Sequence, residues 1–130
     1  MSDKPDLFDH ADKVRGLAHI IAGLIYARGG LRKVMAETAF GLELAAAAVI
    51  LVLYWLAGVS AFHTVISLCL FLIVFAAEAL NTAIEMIIDR ISPEISQYGR
   101  DAKDLGSFAV VCLLFANGIF SGWAIWSALM

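Results

Sequence analysis

Lysine and arginine are absent from one continuous stretch of the chain, residues 34–89, although the 130 residues include nine of them. The basic residues lie on either side of this gap: Lys4, Lys13, Arg15, Arg28, Arg32 and Lys33 before it, and Arg90, Arg100 and Lys103 after it. Basic residues of membrane proteins collect in cytoplasmic loops. The gap therefore predicts two membrane crossings that return the chain to the side it left.

Other absences exclude whole classes of protein. Cys69 and Cys112 have no C-x-x-C or histidine partner, so these two cysteines are expected neither to bind a metal nor to form a disulfide. The segment Gly29-Gly30-Leu31-Arg32-Lys33 lacks the glycine spacing of a phosphate-binding loop, and the H-R-D and D-F-G elements of protein kinases are missing. The net charge of −3 says nothing about nucleic acid, but the sequence has no basic, aromatic-rich patch, so no nucleic-acid partner is expected.

The apolar content predicts an all-α membrane protein of one domain. Apolar residues make up 62% of the chain, well above the soluble norm of roughly 45–50%. Three apolar segments, 38–57, 62–88 and 104–129, each reach the about 20 residues that cross a bilayer. Before them, residues 10–28 are typical of an amphipathic helix at the lipid–water boundary, and residues 1–9 form an acidic segment that we expect to be mobile.

Glycine and aromatic residues complete this topology. Gly29-Gly30 is expected to end the surface helix, because glycine commonly follows the last helical residue. The turn 58–60 carries no charge, whereas residues 89–103 form a polar connection of about 15 residues. The only tryptophans, Trp55, Trp123 and Trp126, fall near the outer ends of the spans. Basic residues on the inner side and tryptophans at the outer interface give the same topology, with a cytoplasmic N-terminus and a periplasmic C-terminus.

Acidic residues inside the spans are the strongest indication of function. Glu43 lies in the first span, and Glu78, Asn81 and Glu85 share one face of the second at spacings i, i+3 and i+7. Asp89 continues this face toward the cytoplasm. An acidic side chain costs about 2.5–3.5 kcal/mol at mid-bilayer on insertion scales, so it usually marks a functional site. Bound Mg²⁺, a proton pathway and a general base all fit such a column of carboxylates.

Three motifs allow a more specific comparison. They are Glu-Ala-Leu-Asn-Thr-Ala-Ile-Glu at 78–85, Ala-Lys-Asp at 102–104, and Glu-Thr-Ala-Phe at 37–40 with Glu43 behind it. Together they resemble the prokaryotic diacylglycerol kinases, a family of small three-span lipid kinases, from about Tyr26 to the C-terminus. Gly106-Ser107 is more similar to the diacylglycerol kinases of Gram-negative bacteria than to the undecaprenol kinases of Gram-positive ones.

The resemblance implies a role for each matching residue. Glu78 would be the catalytic base, and Glu37 and Glu85 would bind the Mg²⁺ that bridges the phosphates of ATP. The residues implied at the ATP site are Tyr26, Glu37, Glu85, Glu94, Ile95, Ser96, Lys103 and Asp104. The residues implied around the lipid pocket are Arg32, Glu43, Glu78, Asn81 and Ser107.

The resemblance further implies a homotrimer in a bacterial inner membrane, with sites shared between protomers. Where the family often has an arginine on the surface helix, this chain has His19, with Arg15 one turn earlier. The sequence leaves open which of the two, if either, takes the role of that arginine. The predicted reaction is ATP-dependent phosphorylation of diacylglycerol to phosphatidic acid.

Two alternatives remain at this stage. The lipid substrate could be undecaprenol or another long-chain alcohol, since the pocket lining would be apolar in either case. The column between Glu78 and Glu85 could instead conduct protons or cations. A conductor would need a polar path to the outer face, yet residues 70–75 are all apolar.

Overall fold

The computed structural model describes residues 17–92, 94 and 96–130, which form four helices and no strand. These are α1 (Leu17–Val34), α2 (Thr38–Ala57), α3 (Ala61–Ile91) and α4 (Gln97–Leu129). The helices α2, α3 and α4 are each long and apolar enough to cross a membrane, which confirms the predicted all-α membrane fold. The expected tail 1–9 and the expected start of the surface helix, residues 10–16, lie outside the described residues.

The last two spans are longer than the sequence predicts. α2 has the expected bounds, but α3 runs to Ile91 instead of residue 88, and α4 begins at Gln97 instead of residue 104. The expected connection of about 15 residues was therefore wrong, because only residues 92–96 separate the two helices. Polar residues end an apolar run without ending a helix, since glutamine, arginine and lysine are good helix formers.

The end of α1 also differs from the prediction. The helix continues through Gly29 and Gly30 to Val34, so the glycine pair does not terminate it. Glycine costs only about 1 kcal/mol relative to alanine inside a helix, which packing of the last turn can offset. Val34 provides such packing, because it is 5% exposed while most of the preceding α1 side chains are exposed.

The turn between α2 and α3 depends on a glycine in the left-handed region. Gly58 has a φ of 70° and is the only described residue with positive φ. Its N–H and that of Val59 donate to the carbonyls of Trp55 and Tyr54, which closes the end of α2. Ser60 then caps α3, because its Oγ accepts from the backbone N–H of His63.

The three spans form a bundle with two chemically different ends. α3 and α4 pack along each other most extensively, while α2 lies beside both and contacts α3 through the Phe40–Phe75 ring pair, with centroids 5.0 Å apart. Exposed tryptophans surround one end, which we call the tryptophan end. At the opposite end α2 begins, α3 ends and α4 begins, and we call this the polar end.

A chain of buried polar side chains joins the three spans in the half nearer the tryptophan end. Tyr54 Oη lies 2.8 Å from Ser67 Oγ, and Ser67 Oγ lies 3.4 Å from Ser121 Oγ. Ser121 Oγ in turn donates to Asn117 Oδ1 at 3.3 Å. Because α2 has few other contacts with α3 and α4, the hydrogen bond between Tyr54 and Ser67 helps to hold it in place within the protomer.

We expect Tyr54→Phe to lower the stability of the folded protein in detergent. The substitution removes a buried hydrogen bond between α2 and α3, worth about 0.6–1.5 kcal/mol. The corresponding fall in Tm is about 2–6 °C, which a thermal unfolding scan resolves. Tyr98→Phe is the matched control, because Tyr98 is 88% exposed. Equal Tm values for the wild type and Tyr54→Phe would contradict a stabilising role for the hydrogen bond between Tyr54 and Ser67.

Candidate active site

The packing face of α3 changes from apolar to polar along its length. Its buried residues follow one another at helical spacing: Ser67, Phe71, Val74, Glu78, Asn81 and Thr82. The side chains change character between Val74, which is fully buried, and Glu78, which is 6% exposed. The prediction that Glu78, Asn81 and Glu85 share one helix face is confirmed for Glu78 and Asn81, which are both buried on the packing face.

The depth of this polar segment follows from the helix lengths. A hydrocarbon layer of about 30 Å is spanned by about 20 helical residues, which is the length of α2, whereas α3 has 31 residues. If α3 enters the hydrocarbon at Ala61, a length of about 20 residues carries it out near Asn81. On this count Glu78 would lie about 5 Å inside the boundary, Glu85 about 6 Å beyond it and Asp89 in the water.

Asn81 and Glu85 interact along α3. Asn81 Nδ2 donates to Glu85 Oε1 at 3.1 Å, as residues four apart on one helix face can do. Asn81 Oδ1 is buried and has no hydrogen-bond partner among the described residues. Glu85 is half-buried, and the bond to Asn81 uses one of its two oxygens. Its second oxygen can therefore face a ligand that approaches from the polar end.

Glu43 brings a second buried carboxylate to the same region from α2. It is 6% exposed, and its Oε2 has no hydrogen-bond partner among the described residues. Glu43 lies near Glu78 in space, and Glu37 and Glu85 also lie near Glu78. A buried, unpartnered carboxylate is unfavourable unless a proton, a cation or a hydroxyl donor joins it. The arrangement is therefore suited to receiving a polar ligand.

A cleft opens on the water side of these carboxylates, between the end of α3 and the beginning of α4. An ion pair between Lys103 Nζ and Asp89 Oδ1, 2.5 Å apart, joins the two helices there. The cleft has a volume of about 200 Å³ and is lined by Ile88, Asp89, Ser92, Glu94, Ser96, Gly99, Arg100 and Lys103. The predicted ATP-site residues Glu94, Ser96 and Lys103 thus lie together in one cleft.

Ser96 shapes the cleft by starting α4. Its Oγ accepts from the backbone N–H of Gly99 at 3.0 Å and from the hydroxyl of Ser92 at 3.1 Å. The first turn of α4 consequently faces the cleft, and backbone N–H groups at a helix start favour anionic ligands. Ile95, which the resemblance implies at the same site, lies outside the described residues.

Other predicted site residues are exposed in the single chain. Tyr26 is 78% exposed on α1, and Arg32 on α1, Glu37 before α2, and Asp104 and Ser107 on α4 are exposed as well. His19 is also exposed, whereas Arg15 lies outside the described residues. None of these residues lines the cleft between α3 and α4. Their predicted roles therefore require a ligand or a neighbouring protomer to bring them together.

Three residues of the candidate site were not predicted from the sequence. Arg100 and Ser92 line the cleft, and Thr82 is buried beside Asn81. The basic residue Arg100 three positions before Lys103 was a visible signal, because positions three apart share a helix face. That signal was lost because residues 89–103 were interpreted as a loop, in which helical spacing has no meaning.

The donor set at the polar end fits Mg²⁺. Among the described residues, no group of three or more acidic, histidine or cysteine side chains forms a complete metal site. Mg²⁺ does not need one, because it commonly takes one or two carboxylates and completes its octahedron with phosphate oxygens and water. Glu37 is exposed at the N-cap of α2 without a side-chain capping bond, and Glu85 keeps one oxygen free of the bond to Asn81.

Comparisons with known proteins agree with this geometry. The family described as "Prokaryotic diacylglycerol kinase" matches residues 25–125. This range includes the carboxylates discussed above, Glu37, Glu43, Glu78 and Glu85. The chain is 44% identical over 114 residues to a diacylglycerol kinase from a Sinorhizobium species, covering 88% of this chain and 83% of that protein. A diacylglycerol kinase from Haemophilus influenzae is 34% identical over 85% of this chain and 94% of its own length. One from Escherichia coli is 33% identical, with 90% and 97% covered.

Proposed function

Because this chain belongs to the prokaryotic diacylglycerol kinase family, we propose that it transfers the γ-phosphate of ATP to diacylglycerol and so makes phosphatidic acid. The single observation that carries the proposal is the change along the buried face of α3. Glu78 lies where apolar packing gives way to polar side chains, and the cleft at Lys103 opens beyond it toward water. A lipid alcohol from the bilayer and a nucleotide from water can meet at this position.

Glu78 is the general base of the proposed reaction. The diacylglycerol hydroxyl oxygen forms a bond to the γ-phosphorus as the bond from that phosphorus to the β–γ bridging oxygen breaks. ADP leaves, and the hydroxyl proton passes to the Glu78 carboxylate. Phosphoryl transfer depends mainly on positioning and charge stabilisation, so helix ends can support it without a separate nucleotide-binding domain.

The nucleotide is proposed to bind at the cleft between α3 and α4. Lys103 lies beside Asp89 there, and Arg100 adds a second positive charge near the start of α4. Glu37 and Glu85 would hold Mg²⁺, which would supply positive charge to stabilise the phosphoryl group during transfer. Asn81 keeps Glu85 oriented, and Glu43 borders the pocket for the lipid alcohol.

Diacylglycerol fits the observations better than the two alternatives. The matched relatives carry the name diacylglycerol kinase, which favours this lipid over undecaprenol. Against a conductor, Phe71 and Val74 fill the packing face of α3 between Glu78 and the buried hydroxyls nearer the tryptophan end. Conduction would need a continuous polar path through that section.

The test is an assay of purified protein in detergent micelles with Mg-ATP labelled at the γ-phosphate. We expect labelled phosphatidic acid when diacylglycerol is supplied, and much less labelled product from undecaprenol. Preferential labelling of undecaprenol would change the substrate. If the protein is folded, as a cooperative thermal unfolding transition would show, and labels neither lipid, the proposed function is contradicted.

We further propose that the polar end faces the cytoplasm of the inner membrane and that three copies share their sites. The basic residues near the polar end and the tryptophans at the other end support this orientation. The exposure of Tyr26, Glu37 and Asp104 in one protomer supports sites completed by a neighbour.

Shared sites predict complementation between inactive variants. If Glu78 of one protomer acts with Asp104 of the next, co-assembled Glu78→Gln and Asp104→Asn chains should regain about a quarter of the wild-type activity, since one site in four receives both intact residues. The measurement compares the kinase activity of co-expressed variants with that of a mixture of separately purified variants, under conditions in which oligomers do not exchange subunits. Activity no higher in co-assembled protein than in that mixture would indicate self-contained protomers.

A further inference from the structure

Gly106 on α4 lies against Asn81 on α3. A methyl group at position 106 would overlap Asn81 Oδ1 and would approach Asn81 Cγ to 3.3 Å, while Ile84 Cδ1 would be at an ordinary 3.7 Å. The Asn81 carboxamide therefore occupies the space that the missing side chain leaves. Among the described residues, nothing lies within 4 Å of such a methyl group at Gly118 or Gly122, later on the same helix. A methyl group at Gly99 would come within 3.0 Å of Ile88 Cγ2 and Ser96 Oγ, so the overlap is closest at position 106.

The carboxamide of Asn81 is fixed from two sides. Its Nδ2 donates to Glu85 Oε1 at 3.1 Å, and its Oδ1 is buried against α4 at Gly106, where the described part of the chain offers it no hydrogen-bond donor. A reversed amide would point Oδ1 at the Glu85 carboxylate and repel it. Electrostatics and the space at Gly106 thus favour the same orientation.

We propose that Gly106 is a positioning residue for the kinase reaction, because it gives Asn81 the room in which it holds Glu85 in one orientation. The inference rests on the proposed role of Glu85 at the Mg-ATP site. Any side chain at position 106 would push the carboxamide away from α4, and Glu85 would lose its donor. The carboxylate would then rotate freely, at the edge of the hydrocarbon where fixed orientation matters most.

A double-mutant cycle tests this inference. Gly106→Ala should lower kcat/KM for Mg-ATP about 10- to 100-fold, the range for losing one hydrogen bond to a charged group that aligns a site. Asn81→Ala should have a similar effect through the same loss. In the double variant the two overlapping atoms of Asn81 are gone, and the nearest remaining atom is Ile84 Cδ1 at an ordinary 3.7 Å, so kcat/KM should lie within about threefold of Asn81→Ala. Gly122→Ala is the matched control and should retain wild-type kinetics.

A second readout does not depend on activity. In detergent, Gly106→Ala should lower the Tm when Asn81 is present and leave it unlowered when position 81 is alanine. If Gly106→Ala fails to fold, recovery of folding in the double variant supports the inference. Additive losses of activity or of Tm in the cycle would overturn it, as would a double variant that also fails to fold.

The two proposals fail in different ways. If the wild type makes no phosphatidic acid but the Tm cycle shows coupling, the proposed function is wrong and the contact between Gly106 and Asn81 stands. If the wild type is active and the cycle is additive, the kinase assignment stands and Gly106 does not act through Asn81.

Discussion

Glu78→Gln should lower kcat by about 10²–10⁴-fold, the usual effect of removing a general base. Glutamine has nearly the same shape as glutamate but cannot accept the hydroxyl proton, so the proton transfer is lost while packing is kept. The KM for Mg-ATP should change by less than about threefold, because the proposed nucleotide site lies farther toward the polar end. Initial rates at saturating diacylglycerol, with ATP varied, measure both quantities.

The control for this prediction is Asp101→Asn, which makes the same carboxylate-to-amide change at an exposed residue outside the site. Both variants should match the wild type in Tm and in elution volume. Near wild-type turnover by Glu78→Gln would remove Glu78 from the role of base. An equal loss in Asp101→Asn would show that the effect comes from charge alone.

Glu37→Gln and Glu85→Gln should each raise the Mg²⁺ concentration needed for half-maximal activity by about tenfold or more. An amide oxygen carries no full charge, so it is a weaker ligand for a hard divalent cation. High Mg²⁺ should restore part of the activity of each variant, because the phosphates of ATP supply further ligands. Titration of Mg²⁺ at constant ATP measures the effect.

The same titration separates metal binding from base catalysis. Glu78→Gln should remain impaired at every Mg²⁺ concentration, whereas the Glu37 and Glu85 variants should recover in part. Unchanged titration curves for both Glu37→Gln and Glu85→Gln would contradict the assignment of these residues to the metal. A change in only one of them would leave the other as a residue of the nucleotide site.

Much of the fold could be predicted because membrane insertion leaves a strong signal in the sequence. The apolar run 38–57 has the bounds of α2, because the helix itself ends where the apolar run ends, with Glu37 as its N-cap and Gly58 as its C-cap. The ends of α3 and α4 at the polar end could not be predicted in the same way. There the helices continue into water, and hydropathy reports where the lipid ends and not where the helix ends.

The candidate site shows a similar division. The spacing of Glu78, Asn81 and Glu85 placed them on one helix face, and the structure has Asn81 bonded to Glu85 across one turn. The contact between Asn81 and Gly106 joins two helices, so its register depends on packing that no local pattern encodes. The burial of Glu43 beside the charge of Glu78 likewise depends on how α2 meets α3.

The central claim is that Glu78 lies just inside the hydrocarbon on the side from which ATP arrives. It is tested most directly by measuring depth with spin labels at Leu80 and at Met86, two exposed positions near Glu78 on α3, after replacement of Cys69 and Cys112. The account predicts that both labels lie in the leaflet that faces Lys103, with Leu80 deeper than Met86 by up to about 9 Å. A Leu80 label in the opposite leaflet, or in water on the opposite side, would contradict it.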